Sequence, residues 1–284
     1  MKIVFMFALI LVCTLCRANA IDSLKTDDDV RAFLKGKINF RDDHDILFTD
    51  KPSVGGKLAG MKFLKIDLNG DWLTDLIVNG YYLFAVVDDG QGRFKTEFID
   101  RGSFYQYRYV LTDIQSGNGL PEVIVRKLPD YGEDQPKLHQ DTLLMGYNGF
   151  VEYNRIPEND IQEISLSTGG CFGECPIFEL SVGSDGTAVF NAIKYNDRKG
   201  KLQCEVDTAT LGSLFRLANY IHPKLLSDNY KVNWTDDQTA ALTITFIDGA
   251  VKTIKDYGMA GTFGLERLYN AMSRLRQTQA WQHQ

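Results

Sequence analysis

Residues 67–75 carry oxygen-bearing groups at a spacing that strongly restricts how the chain can fold there. The segment reads Asp-Leu-Asn-Gly-Asp-Trp-Leu-Thr-Asp and leads directly into the apolar residues 76–78. The oxygens at loop positions 1, 3, 5, 7 and 9 come from Asp67, Asn69, Asp71, the backbone carbonyl of Leu73, and Asp75. Because Ca²⁺ takes about six to eight oxygen ligands, this spacing predicts a calcium site in a tight loop before a strand.

A metal-free turn is the alternative interpretation of the same segment. Asp, Asn and Gly favour turns between strands without any ion. An EF-hand loop also closes with a bidentate Glu at position 12, where this chain has Val78, and it has Gly at position 6, where this chain has Trp72. A calcium loop completed by water or another segment, and an ordinary turn, therefore both remain open from the residues alone.

The chain begins with the features of an export signal. Lys2 provides a positive charge, residues 3–15 are apolar, and Ala18-Asn19-Ala20 fits a signal-peptidase site. We therefore predict that residues 1–20 are a cleaved signal peptide and that the mature protein is periplasmic or secreted. The apolar run is too short to cross a bilayer and no second run approaches that length, so we expect no transmembrane segment.

The charge balance excludes nucleic acid as an expected partner. The chain has 31 Lys and Arg against 37 Asp and Glu, and removal of Lys2 and Arg17 with the signal leaves 29 against 37. An acidic surface with no basic cluster repels a phosphate backbone. We expect an unidentified protein or glycan partner instead. The tyrosines in residues 104–109 could stack on sugar rings, although aromatic residues are also simply good strand formers.

Residues 21–158 show the pattern of a β-rich domain preceded by one short helix. The helix is predicted at residues 27–35, where Asp27, Asp28 and Asp29 form an acidic first turn. Apolar runs separated by Gly, Asn and Asp predict strands at 63–66, 76–78, 81–87, 94–98, 104–111 and 123–125. Asn79-Gly80 and Asn148-Gly149 are signals of hairpin turns.

Residues 70–78 have a partial copy 47 residues further along the chain, at 117–125. Such an offset is typical of repeat and propeller architectures. The copy keeps Gly119 and Glu122, but its opening is one residue out of step, so we interpret it as a structural relic of the loop.

Residues 63–127 resemble the FG-GAP or VCBS-type repeats of integrin-like propellers and exported bacterial proteins. The resemblance rests on the oxygen ligands of the loop and on the apolar run that follows them. The resemblance implies a Ca²⁺ ion held between adjacent strands, mostly in a structural role. Two copies cannot close a propeller, so we expect a small open β-domain.

Residues 159–284 change to a mixed pattern that predicts a compact α+β domain. Strands are predicted at 164–167, 177–182 and 187–193, a helix at 208–221, a hairpin at 241–247 and 251–257, and a last helix at 265–275. The predicted fold class is therefore α+β, with an N-terminal β-rich, repeat-like domain followed by an α+β domain of strands, helix, hairpin and helix. We expect the two domains to fold separately.

The second half resembles an uncharacterised bacterial domain family with the signature Cys-Phe-Gly-x-Cys-Pro, found here at residues 171–176. The match spans roughly residues 164–275 and includes Asp185-Gly186, Tyr230, Thr235-Asp236-Asp237 and Asp256-Tyr257-Gly258. The chain departs from the family in having Phe178 where Tyr is usual and Phe263 where Pro is usual. This is a domain of unknown function, so the resemblance implies a fold and a boundary but no activity.

Three cysteines remain after removal of the signal: Cys171, Cys175 and Cys204. In an oxidising compartment, Cys171 and Cys175 can meet across a tight turn around Gly173, and we predict a structural disulfide between them. The alternatives are thiol–disulfide exchange by the same pair, and a zinc site that adds Cys204 and a histidine. Cys204 is otherwise expected to be a free thiol on a strand.

These patterns lead to two function hypotheses. The first is an exported, non-enzymatic binding or interaction protein with a structural calcium loop and a disulfide. The alternative is a periplasmic thiol–disulfide exchange enzyme that uses Cys171 and Cys175. No His lies near a Ser or Cys in an arrangement that suggests nucleophilic catalysis, so we assign no catalytic residue.

Overall fold

The computed structural model describes residues 19–35, 37, 55–100, 109–117, 119–128, 139–154 and 160–283. These residues contain three α-helices and three β-sheets, and strands dominate. An α+β fold is confirmed at this level. The first 18 residues of the predicted signal peptide and most of the tyrosine-containing segment 104–109 lie outside the described residues. The same holds for most of residues 156–160, where we predict a cleavable connection between the two halves.

Helix α1 covers Asp27–Leu34, one residue shorter at its end than predicted. It begins with a capping box, in which the Thr26 hydroxyl accepts from the Asp29 amide and the Asp29 carboxylate accepts from the Thr26 amide. Its buried face packs on the first sheet together with Ile21, the predicted first residue of the mature chain, which is fully buried.

The first two sheets are four-stranded, antiparallel, and connected in chain order. The first contains β1 (Phe63–Ile66), β2 (Asp75–Asn79), β3 (Leu83–Asp88) and β4 (Phe94–Phe98). The second contains β5 (Tyr109–Ser116), β6 (Pro121–Lys127), β7 (Gln140–Gly146) and β8 (Gly149–Glu152). The two members of the internal repeat occupy equivalent places in the two sheets. Residues 70–78 include the end of the β1–β2 loop and most of β2, and residues 117–125 include the end of the β5–β6 loop and most of β6. Apolar side chains of the two sheets share one core.

Strands β7 and β8 were not predicted, although their hairpin was signalled. The turn residues are Tyr147 and Asn148, both with positive φ, so that Gly149 begins β8 instead of completing the turn. A two-residue hairpin of this kind needs positive φ at both central positions, which Asn tolerates well. The polar opening of β7, Gln140-Asp141-Thr142, conceals the strand in the sequence.

The third sheet has eight strands in the order β13-β15-β14-β9-β10-β11-β12-β16. Their bounds are β9 (Ile161–Thr168), β10 (Ile177–Gly183), β11 (Thr187–Lys194), β12 (Gly200–Glu205), β13 (Asn229–Lys231), β14 (Thr239–Phe246), β15 (Val251–Tyr257) and β16 (Gln282–His283). Helices α2 (Thr208–Tyr220) and α3 (Phe263–Thr278) share a core with this sheet, and a short 3-10 helix covers Pro223–Leu225. The predicted helices and hairpin of this half are confirmed. None of the helices in the described residues has both the length and the apolarity to cross a membrane.

The start of α3 joins the third sheet to the other two. Phe263 is buried in the core of the first two sheets, with its ring 5.7 Å from that of Tyr109. Both carboxylate oxygens of Glu152 accept backbone amides of the first turn of α3, which stabilises the positive end of the helix dipole. Arg267 on the same helix pairs with Glu97 at 2.7 Å, and both side chains are largely buried. Whether residues 21–158 and 159–284 fold separately stays a prediction.

Candidate functional site

The loop between β1 and β2 is curled around its own acidic side chains. The carboxylate of Asp67 accepts the amides of Gly70 and Trp72 at 2.7 and 2.9 Å. Asn69 and Asp71 each accept the amide two residues further on, at 3.1 and 2.9 Å. Gly70 and Trp72 both have positive φ, and the Trp72 side chain points into solvent with 94% of its surface exposed.

Asp75 closes this loop from a fully buried position at the start of β2. Its two carboxylate oxygens accept the amides of Leu68 and Asp88, both at 2.8 Å. Burial, aided by the negative charges of Asp71 and Asp67, raises the pKa of Asp75 to about 7, even though the two amides that it accepts act in the opposite direction. The predicted ligands thus lie in one loop, and the carboxylates of Asp67 and Asp71 are close enough to Asp75 to disfavour its ionised form.

The donor chemistry of the loop fits a hard cation, because its side chains supply oxygens and each carboxylate keeps lone pairs beyond the amides it accepts. Within the described residues, however, no three His, Cys, Asp or Glu side chains converge as a ready-made metal cluster. An ion here would therefore also depend on the Asn69 side chain, the Leu73 carbonyl and water.

The loop between β9 and β10 brings Cys171 and Cys175 within disulfide distance, as predicted, with their Cα atoms 5.8 Å apart. Gly173 lies at the tip with φ +150°, a conformation that other residues rarely adopt. Phe172 beside it is 87% exposed, while its amide donates to the Asp236 carbonyl at 3.0 Å. Cys204 is a free, half-buried thiol on β12, as predicted, and burial raises its pKa to about 11.

Three segments distant in sequence meet at this loop, and we call residues 169–176, 234–238 and 257–261 the disulfide-loop cluster. The Gln238 side-chain amide donates to the carbonyls of Gly169 and Pro176, both at 2.8 Å. The Asp237 amide donates to the Tyr257 hydroxyl at 3.2 Å. Several residues singled out by the family resemblance therefore lie in one place, although the sequence gives no direct indication that they meet.

A cleft of about 660 Å³ separates the disulfide-loop cluster from the first sheet. Tyr82 and Phe98 form the wall on the side of the first sheet, with each side chain 40% exposed. Cys175, Trp234 and Asp237 line the opposite side, where the Asp237 carboxylate accepts the Trp234 indole N–H at 2.9 Å. The disulfide thus lies at the edge of a space built from both halves of the chain.

Helix α3 supplies the inner part of the cleft through Glu266, Tyr269 and Asn270. Tyr269 is 1% exposed, and its hydroxyl lies beside the buried carboxylate of Asp256. Burial raises the pKa of Tyr269, and so does the nearby carboxylate of Asp256, which is itself buried.

Most residues that line the cleft could not be recognised from the sequence. Tyr82 and Phe98 read as ordinary strand residues, and Tyr269 reads as part of the apolar face of a helix. The only available signal was the position of the disulfide loop near the boundary between the two halves, which favours a binding surface facing the β-rich part.

Comparison with known proteins assigns only part of the chain. Residues 162–276 match a family described as a domain of unknown function, DUF6438. The C-terminal half therefore contains an uncharacterised domain. No curated protein matches the chain, and no solved structure does.

Proposed function

We propose that this chain is an exported binding or interaction protein whose ligand site is the cleft between the first sheet and the disulfide-loop cluster. The observation that carries the proposal is that both halves of the chain contribute walls to one cleft of about 660 Å³. Clefts at domain interfaces are frequent ligand sites. The partner is a small molecule or a segment of a protein or glycan that fits this space.

The connections through α3 support a preformed cleft. The buried Glu97–Arg267 pair and the two amides capped by Glu152 hold α3 against both of the first two sheets. Gly149 permits this arrangement, because a Cβ atom there would lie 2.1 Å from the Arg267 guanidinium carbon. A ligand that enters the cleft therefore meets walls that are already positioned, which lowers the entropy lost on binding.

A variant that fills the cleft tests this proposal. We expect Asn270→Trp to block ligand binding, because Asn270 is exposed and lines the cleft. Gln277→Trp is the matched control, since Gln277 is an exposed residue two turns further along the same helix. Thermal shift assays with panels of glycans, peptides and organic cations should find ligands that stabilise the native protein and the control but not Asn270→Trp. Equal stabilisation of all three proteins would contradict a site in the cleft.

We also propose that the loop of Asp67, Asn69, Asp71 and Asp75, together with the Leu73 carbonyl, holds a structural Ca²⁺ ion. The oxygen donors and the resemblance to calcium-loop repeats support it. The ion would relieve the repulsion of the buried Asp75 carboxylate by those of Asp67 and Asp71, and would stiffen the turn before β2. This strand lies inside the first sheet, which forms one wall of the cleft.

Excess Ca²⁺ is expected to stabilise the folded protein by roughly 3–4 kcal/mol when the ion is at a hundred to a thousand times its Kd. A rise in Tm over the chelated protein measures this effect. Asp71→Ala should abolish it, whereas Asp89→Ala, at an exposed aspartate of the turn between β3 and β4, should not. An identical melting curve with Ca²⁺ and with chelator would remove the ion from the proposal.

Thiol–disulfide exchange is the second candidate, and it is favoured by the position of Cys175 at the edge of the cleft. Thiol counting on the unreduced, denatured mature protein distinguishes a structural disulfide between Cys171 and Cys175 from a redox-active pair. A structural disulfide leaves one reactive thiol, that of Cys204. Three reactive thiols, or loss of turnover of a disulfide substrate in Cys175→Ser, would favour exchange and contradict the structural assignment.

A further inference from the structure

The N-terminal turn, residues 19–24, is built into the fold, although the sequence pattern assigns its first two residues to the signal peptide. Ile21 and Leu24 are 0% and 5% exposed, and they pack with α1 against the first sheet. The Lys65 ammonium donates to the carbonyls of Asp22 and Leu24, both at 2.9 Å. The turn therefore completes the outer core of the first sheet.

Asn19 closes this turn at its start. Its side-chain oxygen accepts the Asp22 amide, and its own amide donates to the Asp22 carboxylate, both at 3.0 Å. This reciprocal pair is the arrangement of a capping box, in which each side chain satisfies a backbone donor of the other residue. The Asn19 side-chain nitrogen also donates to the Thr74 carbonyl at 2.6 Å. Because Thr74 belongs to the loop 67–75, Asn19 ties the N-terminal turn to that loop.

Two possible cleavage sites have opposite effects on these contacts. Cleavage after Ala20 removes Asn19, and it places a positive charge on the backbone nitrogen of Ile21, whose side chain is fully buried. Cleavage after Ala18 keeps the contacts of Asn19. It also converts the Asn19 backbone nitrogen, which lies 3.0 Å from the Asp22 carboxylate, into an ammonium group. A charge-assisted hydrogen bond is stronger than a neutral one, so the earlier site stabilises the turn.

The sequence also permits the earlier site. Signal-peptide cleavage needs small residues one and three positions before the cleaved bond. For the bond after residue 18 these are Ala18 and Cys16, and for the bond after residue 20 they are Ala20 and Ala18. Both pairs are small, so the contacts of Asn19 distinguish the two sites.

From these observations we infer that the chain is cleaved between Ala18 and Asn19, two residues earlier than the sequence pattern predicts, and that the new N-terminal ammonium pairs with Asp22. The hydrolysis consumes one water and leaves a carboxylate on Ala18 and an amine on Asn19, which is largely protonated at pH 7. This inference rests on the proposed export of the chain and is independent of the cleft.

Intact mass and N-terminal sequencing of the exported protein test the inference. The full-length chain is expressed with its own signal in a Gram-negative bacterium, and the periplasm and medium are separated from the cytoplasm. We expect an exported chain that begins with Asn19. An exported chain that begins with Ile21, or with any other residue, would overturn the inference and leave export intact. An uncleaved chain found only in the cytoplasm would contradict export and the inference together.

Two signal variants distinguish the sites further. Cys16→Leu puts a large side chain three positions before the inferred bond but outside the small pair of the later site, so it should abolish the product that begins with Asn19. Ala20→Leu is the matched control, because it puts the same side chain directly before the later bond, and Ala20 is exposed in the folded protein. The product that begins with Asn19 should persist in this control. The reverse pattern would overturn the inference.

The role of Asn19 in the folded state is measured on purified chains that begin with Asn19 or with Ile21. The longer chain should have a Tm about 2–4 °C higher, the shift expected for the loss of a capping pair in a protein of similar size. Asn19→Ala in the longer chain should lose most of this gain, whereas Lys25→Ala, at an exposed residue just after the turn, should keep it. Equal Tm values for the two chains would overturn the role of Asn19 on which the inference is built.

Discussion

Phe263→Ala is expected to lower the free energy of unfolding by about 3–5 kcal/mol, the usual loss for truncating a buried phenylalanine. Phe263 is 1% exposed, and although it begins α3, its side chain belongs to the core of the first two sheets. The cavity left by the change would lie at the junction of the two halves, beside Tyr109. Urea unfolding measures the loss, and the effect should extend to both halves.

A control distinguishes the junction from an ordinary core position. Phe178→Ala also removes a buried ring, but one that packs against Phe190 within the third sheet. We propose that residues 21–158 and 159–284 are two folding units, so proteolysis around residues 156–160 should cut the chain without unfolding either unit. The nicked native protein and the nicked Phe178→Ala variant should remain associated in gel filtration, whereas nicked Phe263→Ala should separate. Two halves that separate equally in all three proteins would show that Phe263 does not hold them together.

Local features of this chain could be predicted because local chemistry specifies them. Helices α1 and α2 begin at the predicted residues 27 and 208, each after a capping side chain, and the alternation in residues 241–257 produces the β14–β15 hairpin. The pairing of Cys171 with Cys175 follows in the same way, since a separation of four residues permits few other arrangements. Signals of this kind act within a few residues of their position.

The cleft could not be predicted because it depends on long-range packing. Phe263 is the first residue of a helix whose apolar pattern indicates burial in its own domain, yet its ring enters the core of the other sheets. The pairing of Glu97 with Arg267 spans 170 residues, and neither residue is distinguished from other charged residues in the sequence. Long-range contacts of this kind bring Tyr82 and Phe98 opposite Trp234, and only a three-dimensional structure reveals them.

In the presence of chelator, the stability of the protein is expected to fall as the pH rises from about 4 to about 7. The cause is Asp75, whose pKa in the folded protein is raised from the ordinary value of 3.8 to about 7. Between these two values the folded state keeps a proton that the unfolded state releases, so unfolding becomes more favourable with rising pH. The loss reaches at most about 4 kcal/mol for a shift of this size.

The contribution of Asp75 is measured as the difference between the native protein and Asp75→Asn in chemical denaturation at several pH values. The amide does not ionise, so the fall in stability between pH 4 and pH 7 should be much smaller in Asp75→Asn, whereas the exposed control Asp89→Asn should keep it.

Saturating Ca²⁺ should also remove the fall in stability from the native protein, because a cation beside Asp67, Asp71 and Asp75 favours the ionised carboxylate. Parallel pH profiles for native and Asp75→Asn proteins in chelator would mean that Asp75 does not titrate in this range. A fall that persists in saturating Ca²⁺ would place the ion elsewhere, because a cation in this loop cannot leave the charge of Asp75 uncompensated.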